Sequence, residues 1–172
     1  SKRHLLTSLF EYKAPLYELA THFELKPLDL ESIFEYSKKY LNISLEMCQY
    51  VYERSDGETK MIQQILHLLY IQKEKEITKE SIDTVIKEII NSKDSSYKLL
   101  FDTLGNNQKI ALKIVGIYKS GVFASSILTQ YNIKKQTLQS SIDTLLKKEL
   151  IDREDDRYFI PDRTFELWVE GM

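Results

Sequence analysis

Apolar side chains recur at helical spacing along most of the chain, and the recurrences fall into two groups. In the first, Ile62, Ile65, Leu66, Leu69 and Tyr70 lie at positions 0, 3, 4, 7 and 8 of one stripe, and Ile82, Val85, Ile86, Ile89 and Ile90 repeat that spacing. Two shorter patterns precede them: Ile33, Phe34, Tyr40 and Leu41 behind the N-cap candidate Asp29, then Leu45, Cys48, Val51 and Tyr52 behind Ser44. Ser55-Asp56-Gly57 reads as a turn and Thr78 as a further cap. Together these predict a small antiparallel helical bundle over residues 29–92. The polar run Asn91-Ser92-Lys93-Asp94-Ser95-Ser96 reads as the linker that closes it, with residues 97–104 as a connecting helix.

The second group predicts three short helices followed by two strands. Ile110, Ile114, Ile117 and Tyr118 form one stripe, with Lys109 and Lys113 opposite. Gly121 breaks the chain, residues 123–131 form a second amphipathic segment, and Asn132 stands where a left-handed turn residue is needed. Leu138, Ile142, Leu145 and Leu146 form the third stripe. Ile151-Asp152-Arg153 and Tyr158-Phe159-Ile160 flank the polar turn Glu154-Asp155-Asp156 as a β-hairpin. This order is that of a winged helix-turn-helix domain, placed at residues 95–172, with Asp162 capping a last helix that carries Phe165, Leu167, Trp168 and Val169. The fold class expected is therefore mainly α: a helical bundle, then a winged helix with a short hairpin.

Composition narrows the function classes. The chain has 172 residues, a net charge of -2 and only five Gly and three Pro, which excludes disorder and fibrous repeats and removes any bulk field for polyanions. A single cysteine, Cys48, and no apolar run near the roughly 20 residues that span a bilayer point to a cytoplasmic protein without a membrane partner. The chain also starts at Ser1 without an initiator Met, as expected of part of a longer protein.

Candidate chemistry is sparse. No phosphate loop of the form G-x-x-x-x-G-K-[ST] and no G-x-G-x-x-G occurs. His4, His22 and His67 lie far apart with no partner at metal spacing, so no metal site is expected. Carboxylates sit in charge-mixed runs such as Lys73-Glu74-Lys75-Glu76, a solvated helix end, and of the eleven tyrosines Tyr36, Tyr40, Tyr52, Tyr70 and Tyr118 fall on stripes and read as packing. Lys134, Lys135, Gln136, Gln139 and Ser140 cluster on the first half of the third winged helix, where recognition helices meet base edges, and make DNA contact a candidate function. Against it, residues 105–172 hold ten Lys or Arg and nine Asp or Glu, and the hairpin tip is acidic.

A family resemblance adds to this reading. Ser1-Lys2-Arg3-His4-Leu5-Leu6, Phe10, Ala14-Pro15-Leu16-Tyr17 and Leu25-Lys26-Pro27-Leu28 resemble the stretch that leads from a core strand into the helical lid of archaeal and bacterial P-loop ATPases of the AAA+/STAND type. Asp56-Gly57-Glu58-Thr59 stands where that lid carries a G-x-P sensor motif, departing from it at Thr59. Asn107-Gln108-Lys109 looks like the family's Q-[KR] start, and the stretch from Tyr158 to Trp168 is similar to its Y-x-[IV]-x-D-P-x-F-x-x-W ending. The resemblance implies a C-terminal regulatory part of an ATPase, not catalytic by itself, acting as a nucleotide-dependent switch that docks a protein partner or neighbouring domain. ATP and Mg²⁺ would be bound only through a core upstream of Ser1, residues 1–28 being its tail. Arg3 and Gly57 become candidate nucleotide sensors, with the N-terminus of the helix after Gly57 facing negative charge and Glu58 opposing it unless turned away. The alternative is a DNA-binding regulator whose bundle serves dimerisation.

Overall fold

The structure is a computed structural model, and it describes residues 28–73 and 76–171. Its elements are α1 (Leu30–Ser37), α2 (Leu45–Arg54), α3 (Thr59–Gln72), α4 (Lys79–Asp102), α5 (Asn106–Tyr118), α6 (Ser125–Gln130), α7 (Lys135–Lys147), β1 (Asp152–Glu154), β2 (Arg157–Phe159) and α8 (Arg163–Glu170). The fold is mainly α with one two-stranded antiparallel hairpin.

The described residues form two compact units, 28–105 with 162–171, and 106–161. The winged segment is thus an insertion in the chain of the other unit, which it leaves after Gly105 and rejoins at Asp162.

In the bundle unit the helix starts follow the caps visible in the sequence. Asp29 accepts the Ser32 amide, Ser44 that of Met47 and Asp162 that of Phe165, while Thr78 and Ser81 exchange bonds in a capping box. The core gathers Val51, Met61, Ile65, Leu69, Ile82, Val85 and Ile86, with Cys48 buried among them. The polar run at residues 91–96, expected as a linker, is instead the middle of α4. No Gly or Pro interrupts it, the buried stripe of Ile82, Ile86 and Ile89 resumes at Tyr97 and Phe101, and of its six residues Asn91, Ser92, Ser95 and Ser96 are exposed while Lys93 and Asp94 are half-buried. The helix expected over residues 97–104 belongs to the same element.

In the winged unit α5 packs against α7 and β2. Leu138, Ile142 and Leu145 are buried on α7 as the stripe requires. On α5 the buried face is Ala111, Leu112, Ile114 and Val115, and Ile117, expected inward, is 49% exposed. Small and branched residues at 111 and 115 allow closer approach, which rotates the contact face and leaves Lys109 and Lys113 half-buried. Gly121 and Asn132 adopt left-handed φ values of 64° and 48°, as their turns demand. In the hairpin Arg153 faces Tyr158, and the Tyr158 amide also donates to the Lys119 carbonyl (3.0 Å), tying the wing to the end of α5. Asp155 makes the tip turn with φ 52°.

Candidate functional site

The turn at residues 55–58 is built as a helix terminus of the Schellman type. The Gly57 amide donates to the Tyr52 carbonyl (3.0 Å) and the Asp56 amide to that of Glu53 (3.1 Å), with Asp56 and Gly57 left-handed at φ 52° and 70°. Gly57 is buried, and a Cβ there would sit 3.1 Å from the Tyr52 hydroxyl. Glycine is therefore needed twice over, for its φ and for its lack of a side chain. The Glu58 carboxylate makes no cap bond to α3. Burial, and then the nearby Asp162 carboxylate, push Glu58 above the usual carboxylate range.

Arg163 grips the same turn from its other side. Its Nε donates to the carbonyl of Arg54 (3.2 Å), the last residue of α2, while its guanidinium pairs with Glu166 and, at 3.4 Å, with Glu170. The Arg163 and Glu166 side chains are 12% and 3% exposed, so the pair is held away from water. Arg54 in turn reaches Asp83 (3.1 Å), which also accepts from the Tyr50 hydroxyl (2.9 Å). Beyond Arg163, the rest of α8 is fixed to α4 by aromatic packing. Trp168 packs edge-on to Phe101 and stacks with Phe165, and its indole N–H donates to Asp94 (2.9 Å), which also holds Lys98 (2.8 Å). The Tyr97 hydroxyl donates to Asp162 (3.4 Å), and burial with that carboxylate raises the Tyr97 phenol far above its usual range. Arg163 and Asp94 were not singled out in the sequence reading, because their partners lie 109 and 74 residues away.

The α7 face is the second candidate. Lys134, Lys135, Gln136, Gln139 and Ser140 are all exposed on its first half, as the stripe predicted. The Gln139 amide donates to Asp143 (2.9 Å). In the wing, the Arg153 guanidinium turns back on its own hairpin, donating to the Asp155 carbonyl (2.7 Å) and lying 5.6 Å over the Tyr158 ring.

A third feature was not foreseen. A groove of about 1020 Å³ runs between α1 and α3, with Ile33, Ile62 and Leu66 on its floor and Tyr36, Tyr40 and Tyr70 at its edge. These tyrosines, read from the stripes as packing residues, are 61%, 59% and 55% exposed. Tyr40 lies beyond the C-terminal end of α1, and Tyr36 and Tyr70 sit on the outer edge of their helices rather than on the buried stripe. His67, exposed on α3, also lines the groove.

Among the described residues no His, Cys, Asp or Glu cluster is arranged to hold a metal ion, and no helix is long and apolar enough to cross a membrane. Arg3, His4, His22, the motifs over residues 1–27, and Glu74 and Lys75 lie outside the described residues.

Comparison with known proteins agrees with this geometry. Residues 95–171 match a family described as a probable winged helix domain. That stretch runs from within α4 to the end of α8 and takes in the whole insertion. No curated protein matches the sequence. Among solved structures, a Walker-type ATPase of Pyrococcus abyssi is similar in fold over 97% of this chain and 49% of its own, with a TM-score of 0.63 at 16% identity. The chain thus spans about half the length of that ATPase.

Proposed function

We propose that the chain is the regulatory portion of a P-loop ATPase of the AAA+/STAND type, a lid-like bundle and winged helix that switch with nucleotide and dock a partner. The observation that carries this reading is the likeness in fold to a Walker-type ATPase across nearly the whole chain. The ordered motifs from Leu28 through Asp56-Gly57-Glu58-Thr59 to Trp168 support it, as does a Gly57 turn that is strained, buried and joined to distant residues. In this reading ATP and Mg²⁺ are bound by residues of a core upstream of Ser1, with Arg3 near the phosphates. Gly57 acts by setting the turn, since its Cα is covered by Tyr52, and the α3 N-terminus behind it favours negative charge. Titration of the full-length parent protein with a fluorescent ATP analogue, with and without Mg²⁺, tests this. Saturable, Mg²⁺-dependent binding that weakens on Gly57→Val is the expected result, and no binding would sink the reading.

A second reading, a DNA-binding regulator, is favoured by one observation, the exposed Lys134, Lys135, Gln136, Gln139 and Ser140 on the first half of α7. It predicts a duplex-DNA mobility shift that weakens steeply with salt and is lost in Lys134→Glu/Lys135→Glu, because each phosphate contact releases a counterion. The near-balanced charge of residues 105–172 and the acidic tip place it behind the first.

A further inference from the structure

We propose that Arg163 is a positioning residue that joins the Ser55–Glu58 turn to the start of the C-terminal helix, so that the two move as one body. This deepens the ATPase reading, since that turn is the candidate sensor there, but the geometry stands without it. The Arg163 side chain makes the joint. Its Nε donates to the Arg54 carbonyl, where the chain leaves α2 and enters the turn (3.2 Å). Arg163 thus holds the entry to a turn whose two central residues are left-handed.

The guanidinium cannot swing freely between partners, because Glu166, 3% exposed, and Glu170 hold its far edge. Nor can the turn slide past it: Ser55 is fully buried, its hydroxyl bonded to the Val51 carbonyl (2.8 Å), and the Gly57 Cα is packed on Tyr52. A ligand that displaces the turn must carry the first turn of α8 with it or break the bond from Arg163 to the Arg54 carbonyl.

Amide hydrogen exchange on the 172-residue chain tests this without any nucleotide. Arg163→Lys keeps a cation beside Glu166 and Glu170 but has no guanidinium Nε to reach the Arg54 carbonyl. The turn amides of residues 56–58 should then exchange roughly three- to tenfold faster, the range of one hydrogen bond, while residues 167–170 of α8 keep their protection. Glu166→Gln weakens the hold on the far edge of the guanidinium while leaving its Nε in place, and should loosen the same turn amides by less. Unchanged turn protection in Arg163→Lys, or equal loosening of the turn and all of α8, would overturn the proposal. Should Arg163→Lys fail to fold, Glu166→Gln decides it, and turn amides that exchange no faster than in wild type would overturn the proposal. Failure here would leave ATP binding by the parent untouched, and absence of ATP binding would leave the joint standing.

Discussion

In the winged unit the fully buried side chains are aliphatic, Leu112, Ile114, Leu138, Ile142, Leu145 and Ile151, supplied by one continuous stretch of chain. The bundle unit has such a core too, but it also closes around polar and charged contacts between distant segments: Trp168 with Asp94, Arg163 with Arg54, and Arg54 with Asp83. The difference follows from connectivity. Helices α5 to α7 are neighbours in sequence, so short turns bring their apolar faces together and little more is needed to choose partners. Helix α8 must find α4 across an intervening domain, and a helix buried on nearly every side could settle in several registers. Directional bonds from Trp168 and Arg163 single out one of them.

The largest test of that contrast is Trp168→Ala. It removes the aromatic that packs on Tyr97, Phe101 and Phe165 together with the bond to Asp94, at an expected cost of about 3–5 kcal/mol in urea unfolding. Hydrogen exchange should show protection lost in α8 and the second half of α4 and kept in α7; equal loss in α7 would mean that the two units do not open separately. Ile142→Ala, a fully buried site on α7, should cost about 2–5 kcal/mol and show the reverse pattern, with α5 and α7 opening while α3 and the first half of α4 stay protected. If the bundle opened with them, the winged insertion would be a structural element of a single cooperative fold.

The smallest effect is electrostatic and sharpens the contrast at one residue. Glu58 has its pKa raised above 4.5 by burial and then by Asp162. Its proton is held more tightly in the folded state than in the unfolded, so its favourable contribution is present below about pH 4.5 and is lost as pH rises through the folded value. Glu58→Gln keeps the size of the side chain and carries no charge. The variant should therefore be more stable than wild type at pH 7, by no more than about 1 kcal/mol, and the gap should close by pH 4. A gap that is constant with pH would assign the change to packing.

Much of this architecture was legible in the sequence. Asp29, Ser44, Thr78 and Asp162 cap the helices they precede, the α3, α4 and α7 stripes are buried except at Tyr70, Ile90 and Leu146, and the winged order of three helices and a hairpin is present. The errors share a cause. The polar run in α4 reads as a linker because polar residues of low helix propensity resemble a break, although it holds no Gly or Pro to end a helix. Tyr36, Tyr40, Tyr70 and Ile117 were placed inward because a stripe defines an apolar sector without saying which edge of it a neighbour will cover.

The candidate sites divide the same way. The Gly57 turn follows from a local signature, while its candidacy as a sensor follows from the family resemblance alone; the polar face of α7 follows from what lies opposite an apolar stripe. Helix periodicity, caps and left-handed turn positions were decided by the sequence alone, because their energies depend on residues within a turn or two of each other. The partnership of α8 with α4, the hold of Arg163 on the Gly57 turn, the burial of Glu166 and the open tyrosine-edged groove were decided only by the tertiary structure. Each depends on which surfaces meet across tens of residues, and local spacing carries no information about that choice.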